Sequence, residues 1–161
     1  MAVPVAPIRM IPGQTKMNRT LWIVLLGLVP LAALVTLAAL QSARHSDVLA
    51  LGAQVYATNC ASCHGARGEG GNPAAPLQRD TNGLYPAPPH DNTGHTWHHP
   101  DALIKDIITN GSSYPDFQSP MPAWGDKLTE AEIDAVIAYI RTWWTDEQRQ
   151  FQEQVSRQNQ P

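Results

Sequence analysis

The sequence predicts an all-α protein, in which one transmembrane helix precedes a small domain of three to five helices. Two observations predict this class. An uncharged run of twenty mostly apolar residues lies near the N-terminus, and apolar residues recur at helical spacing in several later segments. With 161 residues, the chain has room for one modest domain and its appendages. A third observation, a pair of cysteines followed directly by a histidine, indicates what that domain is built around.

Residues 21–41 are predicted to form an uncleaved transmembrane signal anchor. The run Leu21–Leu40 carries no charge, and its one polar side chain is Thr36. At about 1.5 Å per residue, twenty helical residues span about 30 Å, the thickness of the hydrocarbon layer of a bilayer. Pro30 is expected to kink this helix, which membrane helices tolerate. A cleaved signal peptide is the alternative, but the run is long and Gln41-Ser42-Ala43 is a poor cleavage site.

The charge of the chain is unevenly distributed. Four basic residues and no acidic ones precede position 45, whereas seven basic and fourteen acidic residues follow it, a net charge of −7. By the positive-inside rule, Lys16 and Arg19 keep residues 1–20 as a cytoplasmic tail and place the domain on the periplasmic side of a bacterial cytoplasmic membrane. This asymmetry argues against nucleic acid as a partner and favours membrane lipid and membrane-bound partners.

Cys60, Cys63 and His64 form the C-x-x-C-H pattern of covalent haem attachment. On one helical turn the two thiols can reach the two vinyl groups of a haem, and the imidazole that follows can bind the iron. The chain has no other cysteine. A thioredoxin-like motif would need a βαβ context, and a structural zinc site would need four ligands. We therefore predict one covalently attached haem c.

Met121 is the predicted second ligand of the iron. The other methionines precede the anchor, on the opposite side of the membrane; they are Met1, Met10 and Met17. Pro120 and Pro122 restrict the backbone around Met121, as suits a loop that holds a thioether at one distance. Four histidines are the rivals: His90, His95, His98 and His99. They could supply a second imidazole or a separate metal site, or could line the haem edge or a docking surface.

The first helix of the domain is predicted over residues 46–59, with Ser46 or Asp47 as its N-cap. It delivers Cys60 to the haem. Gly52 lies in its interior, where glycine costs about 1 kcal/mol relative to alanine unless another backbone must come close. We therefore expect a tight helix crossing at this glycine.

Two more helices follow. One covers Pro100–Asn110 and ends at Gly111. The other begins at Thr129, which forms a T-x-x-E capping box with Glu132, and reaches Trp144. The irregular segments between the helices are expected to wrap the cofactor, which replaces much of the missing protein core.

Residues 145–161 form a polar, glutamine-rich tail. Thr145 and Gln148 could cap one more helix, with Phe151 and Val155 on one side of it. Two alternatives remain open for this segment. It either packs on a partner or frays as a solvated tail.

With these residues in place, residues 46–144 resemble a class I c-type cytochrome of the membrane-anchored, monohaem kind. The resemblance rests on the segment from Cys60 to Gly65 with the helix before it, and on Met121-Pro122-Ala123-Trp124 with the capped helix after it. It implies that the first and last helices cross at four positions: Gly52, Tyr56, Val136 and Tyr139.

The resemblance also implies further contacts of the cofactor. A proline carbonyl in the loop after the haem motif accepts the proton on the other ring nitrogen of the histidine, and Pro76 fits that role. Tyr85, Trp97 and Trp124 are candidates for the partners of the haem propionates, or else simply pack against the haem.

The function implied is one-electron transfer by a carrier with no substrate site of its own, which can still be a subunit of an oxidoreductase complex. The overall layout is similar to the monohaem cytochrome c subunit of alternative complex III, a bacterial quinol-oxidising complex. Its partners would be multihaem cytochrome and iron–sulfur subunits. Two alternatives are a subunit or tethered electron donor of a terminal oxidase, with oxidase subunits as partners, and a haem-based ligand sensor or peroxidase-like protein.

Overall fold

The structure is a computed structural model that describes residues 18–112 and 121–159. Within these residues the chain forms α-helices and 3₁₀ turns and no strand, which confirms the all-α prediction. The helices are α1 (Arg19–Asn59), α2 (Ala61–His64), α3 (Asp101–Asn110), α4 (Glu130–Ile140) and α5 (Asp146–Gln158), and the 3₁₀ turns are Thr96–His98 and Arg141–Trp143. Most of the predicted cytoplasmic tail, residues 1–20, lies outside the described residues, as do residues 113–120 before Met121.

The N-terminal unit, residues 1–42, contains the first part of α1. The large apolar side chains described between Trp22 and Leu40 are exposed, and the helix continues through Pro30. Thr36 donates its hydroxyl to the carbonyl of Ala32 at 2.8 Å, so its polar group is already satisfied, as a lipid environment requires. In the described part of the chain, α1 is the one helix long and apolar enough to cross a membrane.

The predicted start of a separate helix at Ser46 or Asp47 is wrong, because α1 runs without interruption to Asn59. The Ser46 hydroxyl donates to the carbonyl of Ala43 at 2.7 Å. A serine inside a helix commonly makes this bond one turn back, whereas an N-cap would accept from the backbone ahead of it. Residues 41–47 contain neither proline nor glycine, so nothing in the sequence stops the helix there.

The second unit, residues 43–161, has its core where α1 packs against α4. A β-carbon added at Gly52 would lie 2.8 Å from Cβ of Tyr139 and still closer to the carbonyl oxygen of Ala135. This close approach confirms the predicted helix crossing. Buried apolar side chains surround the crossing: Val55, Tyr56, Ile104, Ile133, Val136, Ile137, Ile140 and Trp144.

The predicted ends of the later helices are largely confirmed. Thr129 and Glu132 form the capping box of α4. Gly111 ends α3 with a φ of +76°, and its N–H donates to the carbonyl of Ile107 at 3.0 Å. The helix that begins after Thr129 ends at Ile140 instead of reaching Trp144, because the chain tightens there into a 3₁₀ turn.

The C-terminal segment forms α5 with the predicted capping box of Thr145 and Gln148, and it packs on its own domain. Gln152 is fully buried, and its Nε2 donates to Oγ of Ser156 at 3.1 Å. The ring of Phe151 lies edge-on to Trp97, with the ring centroids 5.6 Å apart. Of the two alternatives for this segment, the fraying tail is therefore wrong, because polar contacts that a hydrophobic pattern does not show hold this helix in place. Packing on a partner remains a prediction.

Replacing Gly52 with alanine is expected to destabilise the domain by about 1–3 kcal/mol, because the new methyl group overpacks the crossing with α4. The sign of the change in unfolding free energy distinguishes a close helix crossing from an exposed helix, because in an exposed helix alanine is more stable than glycine by about 1 kcal/mol. Thermal unfolding of the full-length protein in detergent measures the effect. Gly27→Ala is the matched control on the same helix, because a β-carbon there would meet nothing within 4 Å. Equal stability of Gly52→Ala and the wild type would contradict the crossing.

Candidate haem-binding site

The two cysteines lie one helical turn apart, as the motif predicts. Cys60 joins the end of α1 to the short helix α2, and its carbonyl accepts hydrogen bonds from the N–H groups of Cys63 at 3.1 Å and His64 at 2.9 Å. Both thiols are free; Cys60 is half-buried and Cys63 is exposed. This single helical turn, which these backbone hydrogen bonds fix, therefore carries both sulfur atoms and the imidazole.

Burial raises the pKa of the Cys60 thiol to about 11, and the neighbouring Cys63 adds to the shift. At neutral pH this group is therefore a thiol and not a thiolate. Once either cysteine is bonded to a haem vinyl carbon, its sulfur is a thioether and no longer titrates.

His64 is buried, with 6% of its surface exposed, and its Nδ1 lies 3.0 Å from the carbonyl oxygen of Pro88. A carbonyl can only accept, so Nδ1 carries the proton and Nε2 keeps the lone pair that a metal needs. Burial lowers the pKa of His64, and the hydrogen bond to Pro88 opposes the shift only in part. A neutral imidazole with its Nδ1 proton fixed fits the role of an axial ligand to haem iron.

The carbonyl that holds His64 belongs to Pro88, so the assignment of this role to Pro76 is wrong. The chain folds residues 86–90 back along residues 68–71, which brings Pro88 to the imidazole. Two backbone hydrogen bonds hold the fold-back: His90 N–H to Gly68 O at 2.7 Å and Gly71 N–H to Ala87 O at 2.9 Å. Pro76 lines a neighbouring cavity of about 240 Å³. No local feature separates one proline from the other in the sequence, although the run of prolines before His90 does mark a stiff segment.

Tyr56 connects the haem-attachment turn to the core, a role that sequence reasoning missed. Its hydroxyl donates to the carbonyl of Gly65 at 2.9 Å, and its ring lies edge-on to Trp143 with the centroids 5.0 Å apart. Burial raises the pKa of Tyr56 above its usual value, so the hydroxyl remains a donor. A hydrogen bond thus links Gly65, the residue after His64, to the first helix.

Met121 is half-buried, and its backbone is fixed at the end of α3. Its carbonyl accepts a hydrogen bond from the N–H of Ser112 at 3.3 Å, and a β-carbon at Gly111 would lie 3.0 Å from the same oxygen. Three residues further on, Trp124 N–H donates to Ile108 O at 3.0 Å. The backbone around Met121 is therefore held, as the flanking prolines suggested, and binding of iron by its sulfur remains a prediction.

The histidines do not form a second metal site among the residues that the structure describes, since no three His, Cys, Asp or Glu side chains converge there. His90 stacks face to face on His64, with centroids 4.1 Å apart and planes at 22°. If His64 binds a haem iron, a ring stacked on its imidazole would lie on the same side of that iron, and His90 would then not be placed to bind it from the other side. His95 pairs with His99, and His98 packs on Trp97.

The three aromatic residues predicted at the propionates have separate surroundings. Trp97 donates its indole N–H to the carbonyl of Gly94 at 2.9 Å, so its donor is already in use and the structure favours packing for this residue. Tyr85 lies beneath the guanidinium of Arg79, 4.1 Å from the ring centroid. Trp124 lies beneath the ammonium of Lys127 at 4.9 Å. Propionate binding by Tyr85 or Trp124 remains a prediction.

Two thiols on one turn, a buried imidazole with its lone pair available and an all-helical domain define a c-type cytochrome domain. The sequence profile of the family described as cytochrome c oxidase, cbb3-type, subunit III matches residues 47–140. The chain therefore belongs to the cytochrome c family through a domain of this type. It carries one covalently attached haem c and functions in electron transfer.

Relatives of two kinds share this domain. Cytochrome c6 of Picosynechococcus sp. is 32% identical over 112 residues, which cover 70% of this chain and 87% of the relative. The cbb3-type cytochrome c oxidase subunit FixP of Azorhizobium caulinodans is 33% identical over 91 residues, 56% of this chain and 26% of the relative. The subunit CcoP of Azospirillum sp. is 30% identical over 92 residues, 57% of this chain and 27% of the relative.

The matched part of the chain thus covers about a quarter of each of these oxidase subunits. No solved structure matches the chain significantly. The predicted similarity to the monohaem subunit of alternative complex III gains no support from these relatives.

Replacing both Cys60 and Cys63 with serine is expected to abolish covalent attachment, so that haem no longer migrates with the polypeptide on a denaturing gel. Each single replacement leaves one thioether and restores one vinyl group to the porphyrin. The pyridine haemochrome α-band should then move to longer wavelength, because a vinyl group extends the conjugation. Ser62→Ala is the control within the same turn. A doubly substituted protein that still carries haem through denaturation would contradict the assignment.

Proposed function

We propose that the chain is a membrane-anchored carrier that passes single electrons through one six-coordinate haem c on the periplasmic side of a bacterial cytoplasmic membrane. The observation that carries the proposal is the buried His64, which Pro88 holds as the Nδ1-protonated tautomer directly after two free thiols. The apolar, exposed first half of α1 supports the anchor. Lys16 and Arg19 before it support the orientation.

Met121 is proposed as the second axial ligand. Its backbone is fixed against Gly111 and Ser112, and the neighbouring His90 is already stacked on the first ligand. A haem with imidazole and thioether ligands cycles between ferric and ferrous states, and the thioether favours the ferrous one. Two protein ligands leave no open position, which disfavours the ligand sensor and the peroxidase-like protein.

The residues around His64 hold its imidazole in place and keep it buried. Pro88 fixes the proton of His64 and therefore the direction of its lone pair. Tyr56 fastens the attachment turn to the helix crossing, and the buried core at Val136 and Ile140 lies behind it. A site whose atoms move little between two charge states needs little reorganisation, which suits electron transfer. Cys63 is exposed, so the edge of a haem bonded to it would be the side that a redox partner could approach.

We propose the subunits of a terminal oxidase as the redox partner. Two relatives, FixP and CcoP, are subunits of cbb3-type cytochrome c oxidases, and this supports the oxidase over the quinol-oxidising complex that the layout first suggested. The cytochrome c6 relatives are compatible with a carrier that binds its partners reversibly. An acidic domain would then bind a basic surface on its partner.

Replacing Met121 with leucine is expected to abolish the thioether-to-iron charge-transfer band at the red end of the visible spectrum and to lower the midpoint potential, since the ligand that favours ferrous iron is gone. Absorption spectroscopy and a redox titration of the full-length protein measure both effects. Met17→Leu, on the other side of the predicted anchor, is the matched control. A wild-type protein without the band, or a Met121→Leu protein that keeps it, would show that another group binds the iron.

Mild solubilisation of the native membrane followed by affinity purification of the chain tests the partner. Co-purifying oxidase subunits are the expected result. Multihaem and iron–sulfur subunits in their place would assign the chain to a quinol-oxidising complex. A reversible partner should be lost as salt is raised through the range where the Debye length falls from about 10 Å to about 3 Å, whereas a permanent subunit should remain bound.

A further inference from the structure

His90 lies against the ligand imidazole and is fixed by a hydrogen-bond chain of its own. Its Nδ1 is 2.9 Å from Oγ1 of Thr96, and that hydroxyl donates to the carbonyl of Pro89 at 3.3 Å. Since the hydroxyl proton is used on Pro89, Oγ1 accepts from His90, and the proton of His90 is on Nδ1. Thr96 is buried, with 8% of its surface exposed, so this bond is shielded from water.

The backbone of His90 is held on both sides as well. Its N–H donates to the carbonyl of Gly68 at 2.7 Å, and its own carbonyl accepts from the indole N–H of Trp144 at 2.8 Å. The stacked ring therefore has a fixed position and a fixed plane. Its plane is within 22° of that of His64.

These contacts form a ring of interactions that begins and ends at His64. His64 donates to the carbonyl of Pro88, the next carbonyl, that of Pro89, is held by Thr96, and Thr96 holds His90, which stacks on His64. One short segment thus fixes both the hydrogen-bond acceptor of the ligand and one face of its ring. A residue that only filled space would need neither the bond to Thr96 nor the parallel ring planes.

We propose that His90, held by Thr96, is a positioning residue that sets the plane of the His64 imidazole and excludes water from one of its faces. The inference rests on iron binding by His64, which belongs to the proposed function, and it does not depend on Met121 or on the redox partner. Ring orientation at an axial ligand tunes the metal. Water at an uncovered face would favour the more highly charged ferric state.

The test compares His90→Ala, His90→Phe, Thr96→Val and Thr96→Ser in the full-length haem-loaded protein. Haem methyl shifts in the proton NMR spectrum of the ferric form report the plane of the axial imidazole, and a redox titration gives the midpoint potential. His90→Ala should change the order or spread of the methyl shifts. It should raise the ferric-to-ferrous ratio at the wild-type midpoint about threefold, which is about 28 mV at about 59 mV per tenfold for one electron.

His90→Phe keeps a ring against His64 and should leave the potential closer to that of the wild type than His90→Ala does. Thr96→Val removes the hydroxyl and should change the methyl shifts in the same sense as His90→Ala, whereas Thr96→Ser keeps the hydroxyl and should restore them. If His90→Ala fails to fold, the two Thr96 variants alone decide the matter. His98→Ala is the matched control, because it removes an imidazole that packs on Trp97 and Phe151.

The proposal would be overturned if folded His90→Ala had the methyl shifts and midpoint potential of the wild type. If His90→Ala does not fold, wild-type methyl shifts and potential in Thr96→Val would overturn it instead. Equal changes in His98→Ala would also overturn it, because the effect would not be specific to the ring on the ligand. The thioether-to-iron band is recorded for every protein. Its absence from the wild type would refute Met121 as a ligand and leave the comparison of His90 and Thr96 valid.

Discussion

The hydrogen bond from Nδ1 of His64 to the carbonyl of Pro88 is the contact on which the electron-transfer site depends. It decides which ring nitrogen carries the proton and therefore which one has a lone pair for iron. Because the acceptor lies 24 residues along the chain from the imidazole, the loop between them must return to its starting point. The backbone bond from His90 to Gly68 makes that return possible, and the order of the loop is thus a condition for the chemistry at the metal.

The helical framework supplies the support that this loop lacks. The crossing of α1 and α4 at Gly52 brings two backbones together and surrounds them with buried apolar side chains. From that core, Tyr56 reaches the attachment turn and Trp144 reaches the carbonyl of His90. Both are aromatic residues with an apolar ring in the core and a polar atom at the site, so packing and site geometry are set by the same side chains.

Features that depend on spacing along the chain could be predicted from the sequence. The capping boxes at Thr129 and Thr145 and the crossing at Gly52 each follow from residues within one or two turns of one another. Ser46 misled the prediction because a serine can bond one turn back within a helix as well as cap one. The haem-attachment motif of Cys60, Cys63 and His64 could be predicted for the same reason, because its residues are neighbours in the sequence.

Features that depend on how a loop returns could not be predicted in this way. Pro76 and Pro88 are alike in local sequence, and only long-range hydrogen bonds decide which carbonyl meets the imidazole. His90 was considered as a rival ligand because histidine binds metals well, whereas its contacts in the structure are a stacked ring and a threonine. The docking of α5 depends on the buried Gln152, a polar residue that a hydrophobic pattern counts as exposed.

The placement of both cysteines on one helical turn has a consequence for the lifetime of the protein. A porphyrin tethered at two neighbouring points stays with its polypeptide when the domain unfolds, even though the bonds to iron break. Recapture of the imidazole is then intramolecular, at a high effective concentration that does not depend on how much free cofactor surrounds the chain. Dilution and transient unfolding, which strip haem from proteins that hold it by coordination alone, therefore leave this chain with its cofactor.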